Sequence, residues 1–302
     1  MQTTDFNEKL SVSIIIPCYN EERSIKSTIQ RLKETMNKSG VPYELIFVND
    51  CSKDNTGLIL NEHSSEITVL HHEINKGYGA SLKTGISKAK YSWIAITDAD
   101  GTYPIEELPR LINNIPKYDM VVGARTKKKA HIPLLRKPAK FFLNKLANYL
   151  SGTQIPDLNS GLRVFRKNIV ERFITLFPEG FSFTTTLTMT CLTNDYKVKF
   201  IPIDYFKRKG KSSIKPIKDF VGFTQLIIRL ALYFRPLNFF LPVSAFFFLM
   251  SLLLAIKDLF NYCSADFFTC RIGVFSALVF IFAIQTAFLG LLAELIIKRT
   301  KL

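Results

Sequence analysis

The sequence predicts an α/β protein with a mostly parallel sheet, followed by two C-terminal transmembrane helices. Three observations lead to this prediction. Short apolar, β-prone runs alternate with segments of helical periodicity over the first two thirds of the chain. Polar and charged residues follow the apolar runs where each strand is expected to end. Two long uncharged segments lie near the C-terminus of the 302-residue chain.

The predicted strands and helices alternate in order. SVSIIIP (11–17) predicts a buried strand, and 21–38 predicts a helix because its apolar residues recur at helical spacing: Ile25, Ile29, Leu32 and Met36. Further strands are predicted at 43–50, 67–72, 93–100 and 118–125, at the end of 155–167, and from 198 onward. Further helices are predicted from DNTGLILNEH (54–63) and GYGASLKTGISKA (77–89).

Charged residues mark the strand ends. Asp98 and Asp100 lie one residue apart at the end of the fourth strand. Alternate strand residues point the same way, so these carboxylates are expected to face one spot and to repel each other unless a cation or ligand lies between them. Glu21, Asp50 and Arg125 follow three other strands. Because ligands bind at the carboxyl ends of parallel strands, we expect all five side chains to converge there.

This pattern favours a divalent cation, Mg²⁺ or Mn²⁺, held by Asp98 and Asp100 against a diphosphate. Two alternatives remain open at this point. An Asp-x-Asp pair also occurs by chance in turns, and Asp50 also fits a place near a helix N-cap. His71 and His72 end the third strand, where a hydrogen-bonded loop histidine is favoured over a phosphate contact.

The formal net charge of +15 indicates a polyanionic partner: nucleic acid, a phosphorylated ligand or an anionic membrane surface. Basic residues cluster beside the two apolar segments, which favours the membrane and argues against nucleic acid. Segments 236–256 and 272–293 carry no charge and are each about the ~20 residues that cross a bilayer core. The sequence therefore predicts two membrane spans.

The excess of Lys and Arg on both sides of the paired spans predicts that the N-terminal domain and the C-terminus are cytoplasmic in a multi-pass inner (cytoplasmic) membrane protein. We predict an α/β domain over 1–215, an amphipathic juxtamembrane helix over 216–235 and a two-helix anchor over 236–302. Cys263 and Cys270 share the outer link, where free thiols are favoured over a disulfide.

Six motifs carry a resemblance. They are, in order, IIIPCYNEE, VNDCSKDNT, NKGYGASLKTGI, TDADGTYP, GAR and DLNSGLRVF. Together they resemble the inverting GT-A glycosyltransferases of family 2, in the branch of dolichyl-phosphate mannosyltransferase and the bacterial polyprenyl-phosphate glycosyltransferases. The resemblance runs from about residue 11 to 215. It implies that the domain over 1–215 is a GT-A glycosyltransferase domain, the catalytic domain of the protein.

The resemblance also implies roles for individual residues. Those implied to hold the nucleotide sugar are Pro17, Tyr19, Glu21, Asp50, Asp98, Ala99 and Asp100. Those implied to bind the acceptor phosphate are Arg125, Arg136 and Arg208. Three positions depart from the branch: Asn49 replaces a common Asp, Thr102 a common Gln and Lys140 a common Ser. The change at Thr102 leaves a third metal ligand unassigned.

The expected reaction is inverting, metal-dependent transfer of a sugar from a nucleotide sugar to polyprenyl phosphate, with Asp98, Asp100 and Arg125 as catalytic residues. A lipid phosphate is already ionised near neutral pH and needs no general base. The alternative is transfer to a sugar hydroxyl, for which Asp157 would be the base unless it only caps the turn before NSG. A homo-oligomer is compatible with either reaction, and a non-enzymatic membrane scaffold is disfavoured by the intact acidic motifs.

Overall fold

The computed structural model describes residues 10–127, 137–180, 182–206, 216–263 and 273–300. The chain divides into two compact units, one of Met1–Ala147 with Thr153–Phe223 and the other of Asn148–Gly152 with Thr224–Leu302. The first unit contains a seven-stranded sheet. The second contains two long apolar helices. The predicted α/β class with paired C-terminal helices is therefore confirmed.

The strands of the sheet are β1 Val12–Cys18, β2 Tyr43–Asn49, β3 Thr68–His71, β4 Trp93–Ile96, β5 Met120–Ala124, β6 Arg163–Arg166 and β7 Val198–Pro202. Their order across the sheet is β3-β2-β1-β4-β6-β5-β7. Every neighbouring pair is parallel except the two that β6 makes with β4 and β5. Consequently β1, β2, β4 and β5 all run in one direction, and their carboxyl ends share one edge.

The helices are α1 Ile25–Ser39, α2 Thr56–Glu62, α3 Tyr78–Lys88, α4 Leu108–Ile112, α5 Lys137–Ser151, α6 Lys167–Arg172, α7 Phe183–Thr193, α8 Pro216–Phe234, α9 Leu237–Cys263 and α10 Val274–Thr300. The four apolar residues that predicted α1 are all buried, which confirms that helix. It ends where Gly40 takes a left-handed conformation with φ of 67°, which glycine adopts without a steric penalty.

Alternating side chains of the sheet pack into two separate apolar layers. Ile14 and Ile16 of β1 belong to the layer that includes α1, α2 and α4. Ile15 points the other way, into the layer that includes α3 and α7. Helices cover both faces, so the central strands are buried on both sides.

One sequence expectation is corrected by the structure. The fourth strand ends at Ile96, where its pairing with β1 stops at Ile15. Asp98 and Asp100 therefore lie in the turn that follows β4, and strand alternation is not what orients them. Gly101 continues this turn with φ of 73°, a conformation that favours glycine.

In the second unit, Leu237–Phe260 and Val274–Ile297 are long and apolar enough to cross a membrane, and few of their residues are buried. The two helices contact each other through a hydrogen bond from the hydroxyl of Ser244 to the carbonyl of Ala283, 2.7 Å long. The carboxylate of Asp258 accepts bonds from the amide of Gly273 and the hydroxyl of Ser276. These bonds satisfy donors at the start of α10.

We predict that Gly79→Ala destabilises the first unit. A Cβ at Gly79 would lie 2.2 Å from the backbone oxygen of Pro178 and 2.9 Å from that of Gly180. Overpacking of this kind typically lowers the free energy of unfolding by about 1–3 kcal/mol. Thermal unfolding of the solubilised protein measures the effect against Gly222→Ala, whose added methyl group meets nothing within 4 Å. Equal melting temperatures for the two variants would contradict the prediction.

Candidate active site

The loops after β1 and β2 interlock at the carboxyl edge of the sheet. The amide of Asn20 donates to Ser52, and the side chain of Asn20 accepts from the amide of Lys53. The amide of Glu21 donates to the hydroxyl of Thr56 at 2.8 Å. Asn20 and Cys51 both have positive φ, 56° and 57°, which is uncommon outside glycine. The two loops therefore form one connected structure.

Asp50 lies at the end of β2 and is 4% exposed. Its carboxylate contacts Nδ1 of His72 at 2.7 Å and accepts the amides of Lys76 and Gly77 at 2.8 Å each. Nε2 of His72 in turn contacts the hydroxyl of Thr84. Asp50 thus fixes the start of α3, and His72 is a hydrogen-bonded buried histidine.

The N-cap alternative for Asp50 does not hold for α2. There, Asp54 accepts both the amide and the hydroxyl of Thr56, at the start of the helix. His71 is also hydrogen-bonded, through Asn49 and Asn61. Within the described part of the chain, both histidines therefore have protein partners.

Asp98 is held between a tyrosine and a glycine. The hydroxyl of Tyr78 donates to its Oδ1 at 3.1 Å. Burial, followed by the charge of Asp98, raises the pKa of Tyr78, so the hydroxyl stays protonated as a donor. A Cβ added at Gly161 would lie 3.0 and 3.1 Å from the two carboxylate oxygens of Asp98. A side chain at position 161 would require this carboxylate to move by a few tenths of an ångström.

Asp100 is 7% exposed. Its Oδ1 accepts the amide of Thr102 at 3.0 Å and the hydroxyl of Thr102 at 2.6 Å. The hydroxyl of Thr28 on α1 donates to the carbonyl of Ala99. The turn that carries both aspartates is therefore fixed from two sides, and Thr102 supports Asp100.

Arg125 follows β5 and pairs with Asp157. Its Nε and Nη2 donate to the two carboxylate oxygens at 2.7 and 2.8 Å, and its amide donates at 2.9 Å. Nη2 also donates to Oδ1 of Asn159. The guanidinium lies over the ring of Tyr205, 5.1 Å from the ring centroid. Within the described residues Nη1 makes no hydrogen bond. Asp157 is 0% exposed, so the geometry fits a structural ion pair better than a general base.

Electrostatic effects show that these groups share one edge. Burial raises the pKa of Cys18, and the charges of Glu21 and Asp98 raise it further. Burial also raises the pKa of Tyr205. The positive charge of Arg125 lowers this pKa, and the negative charges of Asp98 and Asp100 raise it. The residues after β1, β4 and β5 thus act on common neighbours.

Other residues with sequence-implied roles are placed as follows. Pro17 lies within β1, Tyr19 beyond it is 41% exposed, and Glu21 accepts a bond from the hydroxyl of Ser24. Arg136 and Arg208 lie outside the described residues.

Sequence reasoning missed Arg163, which is fully buried. Its guanidinium donates to the carbonyls of Ser160 and Thr184 and to the hydroxyl of Thr188. Burial lowers its pKa to about 10, so it is charged at neutral pH. It ties the segment before β6 to α7, and its position in SGLRVF was the available signal.

Two sequence profiles match the chain. Glycosyl transferase family 2 matches residues 13–174, and the GtrB C-terminal hairpin matches residues 235–298. The first match contains the strand ends with Glu21, Asp50, Asp98, Asp100 and Arg125. The second covers α9 and most of α10.

Two curated relatives illustrate the similarity. The low-salt glycan biosynthesis hexosyltransferase Agl6 of Haloferax volcanii is 28% identical over 215 residues, 69% of this chain and 51% of the relative. The undecaprenyl-phosphate 4-deoxy-4-formamido-L-arabinose transferase of Yersinia enterocolitica is 33% identical over 174 residues, 56% of this chain and 53% of the relative. The chain spans about half the length of these relatives.

Solved structures share the fold. Glucosyl-3-phosphoglycerate synthase of Mycobacterium tuberculosis, in complex with Mn²⁺, UDP and phosphoglyceric acid, has a TM-score of 0.56 at 16% identity, covering 74% of this chain and 77% of that one. S. aureus TarS in complex with UDP-GlcNAc has a TM-score of 0.55 at 19% identity, covering 90% and 79%. At such identities the likeness shows the fold alone.

The expected GT-A fold is therefore confirmed, and the family match extends over more than half of the chain. The matched segment also contains the turn with Asp98 and Asp100 and the paired loops around Asp50. The chain belongs to glycosyl transferase family 2.

Proposed function

We propose that the chain transfers a sugar, with inversion, from a nucleotide sugar to polyprenyl phosphate at the cytoplasmic face of a membrane. The observation that carries the proposal is the combination in one chain of a family 2 domain and a GtrB C-terminal hairpin. The name of the Yersinia enterocolitica relative, an undecaprenyl-phosphate sugar transferase, supports this acceptor class.

The nucleotide of the donor is assigned to the interlocked loops after β1 and β2. Pro17 lies in β1, Tyr19 and Glu21 follow that strand, and Asp50 directly follows the neighbouring strand β2. The ring of Tyr19 is the exposed group among them, so it is available to contact a nucleoside. Asp50 keeps the start of α3 in place beside this surface.

Asp98 and Asp100 would hold a divalent cation, Mg²⁺ or Mn²⁺, against the diphosphate. The donor set fits, because carboxylate oxygens are the ligands that such cations prefer. Among the described residues, no group of three or more His, Cys, Asp or Glu forms a metal cluster. A two-carboxylate site leaves positions for phosphate oxygens and water. When bound, the cation supplies Lewis-acid stabilisation of the departing diphosphate.

In the transfer step, an oxygen of the lipid phosphate forms a bond to the anomeric carbon. The bond from that carbon to the diphosphate breaks, and its electron pair leaves with the nucleoside diphosphate. A phosphate monoester has a second pKa of about 6, so the nucleophile is already ionised and no base is needed. Arg125, with Nη1 as its remaining donor group, and Arg136 and Arg208 are assigned to the acceptor phosphate.

The hydroxyl acceptor requires a base, and Asp157 is poorly suited to that role. Its carboxylate is buried and accepts three bonds from Arg125. Both carboxylate oxygens of Asp157 are thus bonded to Arg125, which leaves Asp157 poorly placed to take a proton from an acceptor hydroxyl. The geometry therefore favours an acceptor that arrives already ionised.

We assign the two apolar helices, α9 and α10, to membrane spans, with the catalytic domain on the cytoplasmic side. Lys and Arg are concentrated before the first helix and after the second, and such residues are retained on the cytoplasmic side of membranes. This placement would bring a cytoplasmic nucleotide sugar and a membrane lipid to the same enzyme.

Membranes that contain the protein, incubated with a divalent cation, a panel of labelled nucleotide sugars and undecaprenyl phosphate, are expected to transfer label to a lipid-extractable product. Membranes with Asp100→Ala protein serve as the control. Label that enters polysaccharide without a lipid-linked product would support the hydroxyl acceptor and contradict the proposal.

Asp100→Ala is expected to abolish transfer while the protein still inserts into membranes. Removing one cation ligand withdraws several kcal/mol of charge stabilisation from the transition state, which corresponds to a rate loss of at least about a hundredfold. Initial rates and membrane fractionation measure the two effects. Glu62→Gln removes an exposed carboxylate on α2 and is the matched control. Near-normal turnover of Asp100→Ala would rule out the cation site.

Arg125→Ala is expected to raise the lipid concentration for half-maximal rate more than the donor concentration. The substitution also removes the guanidinium that offsets the buried charge of Asp157, which costs about 3–5 kcal/mol of stability. Arg125→Ala/Asp157→Asn removes that charge and is therefore the matched comparison. Initial rates at varied lipid and donor concentrations measure both requirements. A larger effect on the donor in both variants would contradict the acceptor assignment.

A further inference from the structure

The NKGYG segment places a tyrosine beside the aspartate turn. Tyr78 is the first residue of α3, and its hydroxyl donates to Oδ1 of Asp98 at 3.1 Å. The two residues lie on different elements, 20 positions apart in sequence. On another side, Gly161 limits the space available to the same carboxylate. Asp98 is therefore oriented by contacts that sequence spacing does not reveal.

The backbone that carries Tyr78 is held on both sides. Before it, the carboxylate of Asp50 binds the amides of Lys76 and Gly77 at 2.8 Å. After it, the amide of Ala80 donates to the carbonyl of Glu179 at 3.0 Å. Gly77 has φ of 96°, and a Cβ there would lie 2.8 Å from the same carbonyl oxygen. The backbone around Tyr78 is therefore fixed by hydrogen bonds on both sides, and this fixes the position of the phenol beside Asp98.

We propose that Tyr78 is a positioning residue, whose hydroxyl orients the carboxylate of Asp98 toward the cation and diphosphate of the donor. The inference rests on the proposed function, because it takes Asp98 as a cation ligand. Asp50 binds the backbone just before Tyr78, and Tyr78 bonds Asp98. Tyr78 therefore connects the proposed nucleotide-binding loops to the aspartate turn.

The chemistry of a phenol suits this role. A lysine or arginine at the same place would neutralise the carboxylate, as Arg125 does for Asp157, and would repel a cation. A neutral hydroxyl fixes the direction of one carboxylate oxygen and leaves the negative charge in place. The bond from Tyr78 therefore restricts the rotation of the Asp98 carboxylate without neutralising it, which favours metal binding in one geometry.

The test measures cation binding separately from transfer. Full-length Tyr78→Phe protein in lipid nanodiscs is titrated with Mn²⁺ in the presence of inorganic pyrophosphate, and free Mn²⁺ is followed by electron paramagnetic resonance. Loss of a hydrogen bond to a charged group is expected to weaken Mn²⁺ binding about tenfold, with the melting temperature close to wild type. Pyrophosphate makes the probe independent of the nucleobase.

Tyr43→Phe is the matched control. It removes a hydroxyl that bonds Asn37 at the opposite end of β2 from Asp50, and it should leave Mn²⁺ binding unchanged. In an Asp98→Ala background, where Asp100 and pyrophosphate remain as ligands, Tyr78→Phe should cause no further loss. A further tenfold loss there would show that the hydroxyl acts elsewhere and would overturn the inference.

The remaining outcomes separate the inference from the proposed function. Wild-type affinity in a folded Tyr78→Phe protein, together with weakened binding in Asp98→Ala, overturns the role of Tyr78 alone. If wild-type protein binds no Mn²⁺ with pyrophosphate, the cation site and the inference both fail. Tyr78-dependent Mn²⁺ binding in a protein that labels no lipid supports the inference and overturns the proposed acceptor.

Discussion

A buried carboxylate requires hydrogen-bond donors, and the kind of donor separates the acidic residues of this site into two groups. Asp98 and Asp100 receive bonds from neutral hydroxyl and amide groups of Tyr78 and Thr102. Asp157 instead accepts hydrogen bonds from the guanidinium of Arg125. A neutral donor does not cancel the charge of the carboxylate it contacts, whereas a guanidinium does. This difference agrees with the proposed assignment of the cation to the aspartate turn.

The antiparallel strand β6 explains why so many side chains reach one edge. Because β6 runs against β4 and β5, the residues that precede it arrive at the edge where β4 and β5 end. Asp157 and Gly161 therefore meet Arg125 and Asp98, although they come before a strand. The rule that ligands gather at carboxyl ends covers parallel strands only, and it does not anticipate this contribution.

Much of the fold followed from the sequence, because local patterns determine it. Apolar runs and helical spacing identified the strands and α1, and polar residues after the strands identified the edge. The end of β4 was placed too late because TDAD continues the strand-like run of WIAI without a break. The pairs Arg125–Asp157 and Tyr78–Asp98 join residues 32 and 20 positions apart. Such pairs depend on tertiary packing, which no local pattern encodes.

The cross-bonding of the loops after β1 and β2 has a consequence for protein engineering. The backbone amides of Asn20 and Glu22 donate to the side chains of Ser52 and Asp54. In the reverse direction, the amides of Lys53 and Asn55 donate to the side chains of Asn20 and Glu22. A loop transplanted alone from another transferase would leave these partners unmatched in its neighbour. Redesign of the proposed donor site would therefore have to exchange both loops together, as a single graft.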